Sequence, residues 1–256
     1  AYNINHEFLY PMNYLLGLES IETDPKISNY SHDIIFNVFN YINFLTKYDI
    51  SFKYEYIIVL ANIPNLDNAF WNGSYLNFGA GFNHNPLTSS MIVGHELTHA
   101  LIQEINDLEY KGHSGALNES FADIFGVCFE LFIHEHYSHS LGWELGSETG
   151  FLLRDMKNPH RRMQPEVMYD KYYYDPSDIE DNGGVHINSG IPNHMFVCIS
   201  DIIGIKTAFI LFYKTLTKLY KNSNFRDLAS TLSFVNAYHR YIDREILHKI
   251  IDAHIF

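Results

Sequence analysis

Cysteine is nearly absent. The chain has 256 residues and two Cys, Cys128 and Cys198, which excludes a disulfide-rich scaffold as its source of stability. Both sit in apolar helical patterns without metal-site spacing, and they read as two buried thiols. Basic residues are also scarce. Seventeen Lys and Arg against 30 Asp and Glu give a formal charge of -13, which argues against nucleic acid and anionic membrane surfaces as partners. The same excess of acids fits bound cations. No apolar run reaches the roughly 18 residues that a membrane span needs. No signal peptide opens the chain, which begins at Ala1 rather than Met, as processing or trimming would leave it. Internal repeats, low-complexity linkers and coiled-coil heptads are missing too. The chain does have 46% hydrophobic residues, enough to bury a proper core. Its length suits one large domain or two subdomains sharing a cleft.

One stretch organises the rest: Gly94-His95-Glu96-Leu97-Thr98-His99-Ala100. Residues four apart stack on one face of a helix, so His95 and His99 can reach one metal ion. Glu96 is rotated off their midline but stays close enough to take a proton from a metal-activated water. This is the H-E-x-x-H logic of a zinc metalloprotease. With 15 His in the chain, such a match arises by chance in roughly one chain in 20 or 30. The flanks reduce that weight, because Met91, Ile92, Val93, Leu97, Ala100, Leu101 and Ile102 supply the apolar face of a buried helix. Two His and a Glu would be costly to bury there without a partner. A third ligand is offered by Asn118-Glu119-Ser120-Phe121-Ala122-Asp123. Glu119 and Asp123 are again four apart. Glu119 can ligate, and Asp123 can accept the outer N–H of a ligating histidine.

Along the chain, residues 1–29 show no firm periodicity. Ser31 is a plausible N-cap for a helix carrying Ile34, Ile35, Val38, Phe39, Ile42 and Leu45, which would pack against a sheet. Tyr54 to Leu60 reads as a strand, Asn62 to Asn68 as a loop, and Tyr75 to Phe78 as a second strand after the Asn72-Gly73 turn. Asn83 to Ser90 is a polar loop, with Ser89 or Ser90 able to cap the His95 helix. That helix runs to about Asp107. Gly112 and Gly115 mark a loop, and a long helix spans Ala116 to about Tyr137. Residues 138–150 read as a loop, and 155–188 as a long stretch broken by Pro159, Pro165 and Pro176. Helices follow near 191–202, 205–221, 225–240 and 242–253, with Asn224 as a cap.

Four blocks in order resemble the thermolysin family of secreted neutral metalloproteases. They are Asn68-Ala69-Phe70-Trp71-Asn72-Gly73, Gly94 to Ala100, Ser114 to Glu119 with Asp123-Ile124-Phe125-Gly126, and Asp181 to Asn193. The resemblance covers about 200 residues. It implies an α+β, thermolysin-like fold: an N-terminal α/β subdomain, 1–107, and a mainly helical C-terminal subdomain, 108–256, with zinc in the cleft between them. It implies His95, His99 and Glu119 as zinc ligands, Glu96 as general base, and Asn118 and Asp123 as supports of the ligands. Tyr110 and His186 match residues that stabilise the tetrahedral intermediate, with Asp181 orienting His186. Arg154 matches the arginine that binds a substrate carbonyl, and Asn72 and Gly73 match residues that bind peptide backbone. Taken singly, Tyr110 reads as structural, Asp181 to Gly184 as a turn and Arg154 as a surface charge. The pocket after the scissile bond would be lined by Leu87, Ile92, Leu145 and Leu153, with an outer wall near His84. It would prefer large apolar residues.

The chain departs from the family in places. Its front looks short. Of the family's calcium cluster, Glu130 and Glu144 are the evident remnants, with Met91, Gly142 and Ser147 where further acids are expected. Calcium wants six to eight oxygens, so that double site is expected to be lost or weakened. Tyr75 stands where tryptophan is common. The expectation is a secreted, monomeric zinc endopeptidase, made as a zymogen and acting on peptide or protein. The alternatives are a protease narrowly specific for one target protein and a catalytically idle peptide-binding relative.

Overall fold

The computed structural model describes residues 25–81, 87–134, 142–150 and 152–256. The expectations for the irregular front before residue 25, the wall near His84, the helix end at Tyr137 and the loop that follows as far as residue 141 lie outside them, whereas 142–150 hold a short strand and a 3-10 turn. The first helix, α1 (Pro25–Lys47), starts earlier than its periodicity predicts. Ser31 is therefore inside the helix rather than its cap, and Pro25 is its first residue, where a missing N–H costs nothing. The helix touches the first strand of the sheet, as expected, but its principal partners are helices. The Tyr41 hydroxyl lies 2.6 Å from Thr98 Oγ1, and Asn37 donates to the Thr88 carbonyl at 3.0 Å. Phe44 packs on Phe129 and Phe209, with ring centroids 5.8 and 5.2 Å apart.

A three-stranded sheet follows: β1 (Ile58–Ile63), β2 (Ala69–Trp71) and β3 (Tyr75–Gly79), in the order β1-β3-β2. β1 runs parallel to β3, and β2 antiparallel to it. The first strand lies later than its β-branched run suggests, and β2 has no counterpart in the sequence expectation. Three residues are too few to show an alternation. The Asn72-Gly73 turn is where expected. Asn72 Oδ1 accepts from the Ser74 and Tyr75 amides at 3.0 and 2.7 Å, and Gly73 takes φ +94°, a conformation open chiefly to glycine.

Two helices form the centre, α2 (Ser90–Ile105) and α3 (Gly112–Ile133). Both are buried nearly all round, as helices apolar on every face must be. Ser89 caps α2, its side chain accepting from the Ile92 amide at 3.4 Å. Gly112 and Gly115 belong to α3 and not to a loop. A Cβ on Gly115 would stand 2.4 Å from Val185 Cγ1, so glycine there serves close packing. The link between α2 and α3 is pinned to the chain around residue 221. Glu109 N and Ser114 Oγ both donate to the Lys221 carbonyl at 2.7 Å.

A two-stranded ribbon, β4 (Glu144–Leu145) with β5 (Arg154–Asp155), and short 3-10 turns at Ser147–Thr149 and Pro159–Arg162 precede the helical part. That part comprises α4 (Asp181–Asn188), α5 (Gly190–Ile203), α6 (Ile205–Leu216), α7 (Phe225–His239) and α8 (Arg244–Ile255). Asn224 forms a capping box with Asp227 at the start of α7. Among the described residues no helix is long and apolar enough to cross a membrane. Glu130 is engaged by Ser90 and lies 3.0 Å from His134, whereas Glu144 pairs with Arg161. The two remnant carboxylates thus have separate partners.

α2 and α3 cross closely at Gly94 and Gly126. A Cβ on Gly126 would stand 2.6 Å from the Met91 carbonyl oxygen, and one on Gly94 would stand 3.3 Å from Gly126 Cα. Alanine gains about 1 kcal/mol of helix propensity over glycine, but the clash is with backbone that cannot step aside. Gly126→Ala is expected to destabilise the protein by about 1–3 kcal/mol net, read from urea unfolding midpoints. An unchanged or raised midpoint would contradict the close crossing.

Candidate active site

α2 presents His95 and His99 on one face, and the crossing helix α3 brings Glu119 against them. The two Nε2 atoms lie 3.0 Å apart. Glu119 Oε2 is 3.6 Å from His95 Nε2, and its Oε1 is 3.5 Å from His99 Nε2. Each outer nitrogen faces an acceptor. His95 Nδ1 sits 2.9 Å from Asp123 Oδ1, and His99 Nδ1 lies 2.8 Å from Asn118 Oδ1. A carboxylate and an amide oxygen accept only, so each Nδ1 carries its proton and each Nε2 turns a lone pair inward. Two lone pairs facing at that distance repel unless a cation lies between them. Glu119 Oε2 is buried and has no hydrogen-bond partner, as an acceptor waiting for a metal would be. The donor set of two imidazoles and one carboxylate fits zinc, so His95, His99 and Glu119 form a zinc-binding site.

Each ligand support is itself held. Asp123 is fully buried, and Arg154 Nη2 donates to its Oδ1 at 2.7 Å while Asn193 Nδ2 donates to its Oδ2 at 2.8 Å. Asn193 also accepts from Ser120 Oγ at 2.7 Å. Asn118 donates to the Leu108 carbonyl at 3.2 Å. Burial would raise the Glu119 carboxyl, but His186, His95, His99 and Arg154 outweigh it and hold the group well below the usual range. Burial pushes His99 down to about 4.

Glu96 is buried beside the ligands, its Oε1 4.0 Å from His95 Nε2. Its Oε2 accepts the Trp71 amide at 2.9 Å, so β2 fixes its position. Burial raises its pKa to about 7 against the pull of His95. Gln103 completes the junction, accepting from Trp71 Nε1 at 2.7 Å and donating to the Gly73 carbonyl at 3.3 Å. The tyrosine and the third histidine of the site face inward from the rim. Tyr110 is partly exposed, yet its hydroxyl bonds Glu119 and lies 3.0 Å from His186 Nε2. His186 Nδ1 is 2.5 Å from Asp181 Oδ1, and its amide donates to Asp181 Oδ2 at 2.9 Å. That pairing depends on a left-handed run over Asp181, Asn182, Gly183 and Gly184, residue types that tolerate it. Burial would lower the His186 pKa, but the Glu119 and Asp181 carboxylates raise it.

These groups line a cavity of ≈ 730 Å³ that also takes in Arg154, Leu87, Ile92, Leu153 and Gly73. Leu145 is fully buried and lies outside the lining, correcting its expected place in the pocket. The Asn72 side chain is engaged within its own turn and does not line the cavity. Arg154 is no surface charge, because its partners Asp123 and Glu119 are buried. Gln103 and Asn193 received no role from the sequence. Gln103 carried a signal, since it continues the four-residue spacing of His95 and His99. Asn193 closes the last block of the resemblance.

Two family models account for most of the chain. Residues 106–253 match the thermolysin metallopeptidase alpha-helical domain, and residues 47–103 match the thermolysin metallopeptidase catalytic domain. The chain belongs to the thermolysin metallopeptidase family. An extracellular elastase of Staphylococcus epidermidis is 36% identical over 190 residues, covering 69% of this chain and 35% of that protein. A zinc metalloproteinase of Listeria monocytogenes is 38% identical over 178 residues, covering 66% and 33%. The chain therefore spans about a third of the length of these curated relatives. Among solved structures, the precursor of protealysin, a metalloproteinase from Serratia proteamaculans, superposes with a TM-score of 0.74 at 26% identity, covering 93% of this chain and 79% of that one.

Replacing Asn118 with Ala removes the acceptor that orients His99. Zinc affinity is expected to fall about 10- to 100-fold, measured by competition with a chromophoric chelator. Unchanged affinity would show that His99 needs no such support.

Proposed function

We propose that the protein is a zinc-dependent endopeptidase. The observation that carries this reading is the convergence of the two imidazole lone pairs and a Glu119 oxygen free of hydrogen bonds beside a buried carboxylate, Glu96, in an open cleft. Bound zinc supplies Lewis acidity, which activates water and polarises a carbonyl. Glu96 has the position and the raised pKa of a general base, taking a proton from water and passing it to the leaving amine. Negative charge develops on the former carbonyl oxygen. The Tyr110 hydroxyl and the His186 ring, held by Asp181, are the donors positioned for it. Arg154, fixed by Asp123, serves to bind a neighbouring substrate carbonyl, and Gly73 lies where peptide backbone can pass.

Leu87, Ile92 and Leu153 are among the apolar residues that line the cleft, which supports a preference for large apolar residues just after the scissile bond. The division at residue 107 makes two subdomains with the zinc helix at their junction, and the protein acts as a monomer. Secretion, with synthesis as a zymogen, is supported by relatives named extracellular elastase and by the solved precursor of protealysin.

Glu96→Gln is expected to lower kcat/KM on a quenched peptide library by about 10²-fold or more while keeping its zinc. Cleavage should fall before Leu, Ile, Val or Phe. Full activity in the variant would remove Glu96 as the base, and zinc-free protein under conditions that do not strip metals would overturn the reading.

A further inference from the structure

A second cluster of ligating groups lies in the helical part, away from the cavity. His194 and Cys198 are four apart on α5, so helical geometry stacks them on one face. His254, on the last turn of α8, meets them from the neighbouring helix. One His194 ring nitrogen is 3.1 Å from His254 Nε2 and the other is 4.0 Å from Cys198 Sγ. One ligand atom from each of the three residues falls within 4.8 Å of the others. The expectation that neither cysteine has metal-site spacing is therefore corrected. Cys198 has a histidine one helical turn before it.

The outer contacts match a metal site. His254 Nδ1 lies 2.7 Å from the Ile250 carbonyl oxygen, which only accepts. Nδ1 therefore carries the proton, and Nε2 turns its lone pair toward His194 and Cys198. The His254 carbonyl in turn accepts the Met168 amide at 2.8 Å, tying the helix end to the loop before α4. Glu166, on that loop, is a nearby carboxylate acting on all three groups. It offers negative charge to balance a bound cation. His254 is buried and the other two are half-buried, so an ion can enter from the Cys198 side.

We propose that His194, Cys198 and His254 form a second metal site, for a borderline-soft ion such as Zn²⁺ held by two imidazoles and one thiolate. That donor set suits tetrahedral zinc and is poor for calcium or magnesium. Binding releases the thiol proton to solvent and forms three metal–protein bonds. The ion staples α8 to α5. It sits one residue from Asn193, which fixes Asp123 and through it His95. With the family's calcium carboxylates reduced to Glu130 and Glu144, this staple offers the helical part a cross-link from a different metal.

The sulfur makes the test specific, because the His95-His99-Glu119 site contains none. Cys128 is buried and serves as the unreactive thiol. Chelator-treated protein would be loaded with Co²⁺, then with Zn²⁺. A thiolate-to-cobalt charge-transfer band in the near ultraviolet is expected, surviving Cys128→Ala and vanishing in Cys198→Ser, with the loss of one metal equivalent per chain. Zn²⁺ should slow native-state modification of Cys198 by a thiol reagent about tenfold or more. This reading needs only the unmutated chain and holds even if Cys198→Ser does not fold. Absence of the band together with an unchanged modification rate would overturn the site, whatever zinc and activity the catalytic centre shows.

Discussion

The molecule depends on how closely α2 and α3 approach. Glycine at 94 and 126 lets one backbone lie against the other, and that contact sets where the side chains one and two turns away can meet. His95 and His99 leave α2 on one face. Glu119 leaves α3 about two turns before Gly126 and reaches them. A side chain at either glycine would separate the helices, and the ligand atoms would part with them. The packing also explains why both helices are apolar nearly all round. Packed between α1, the sheet and the helical part, they meet solvent mainly where they line the cleft.

Burying such a site is an electrostatic problem. Glu96, Glu119 and Asp123 are nearly inaccessible, and Arg154 is the permanent positive charge among them. Isolated buried carboxylates are too costly to keep ionised. Burial accordingly drives Glu96 up to about 7, while Glu119, ringed by three histidines and Arg154, stays low. A divalent cation between the imidazoles fits this distribution. The supports then form a chain of close polar contacts: His95 to Asp123, and Asp123 to Arg154 and Asn193. Each removes a freedom that a ligand would otherwise retain.

Local signals in the sequence were legible where helix geometry enforces proximity. The i,i+4 pairs His95–His99 and Glu119–Asp123 mark two ligating faces before any fold is known, and Asn224 shows its cap. The same four-residue spacing recurs at His194 and Cys198, one turn apart on α5. Boundaries were less legible. Gly112 and Gly115 resemble loop punctuation, yet Gly115 allows α3 to pack on Val185 and the Tyr110 backbone, and Gly112 lies against Pro176. The strand β2 is too short to show a period, although its Trp71 amide is what holds Glu96.

By itself the sequence determined the helical zinc motif, the order of its blocks and hence the family, because these rest on residues near one another along the chain. The tertiary structure alone decided what those residues rest on. Arg154 meets Asp123 across 31 residues, Asn193 meets the same carboxylate across 70, and His254 meets His194 across 60. No local period encodes such contacts. They follow from which apolar faces bury one another, and only the packed core brings them within hydrogen-bonding distance.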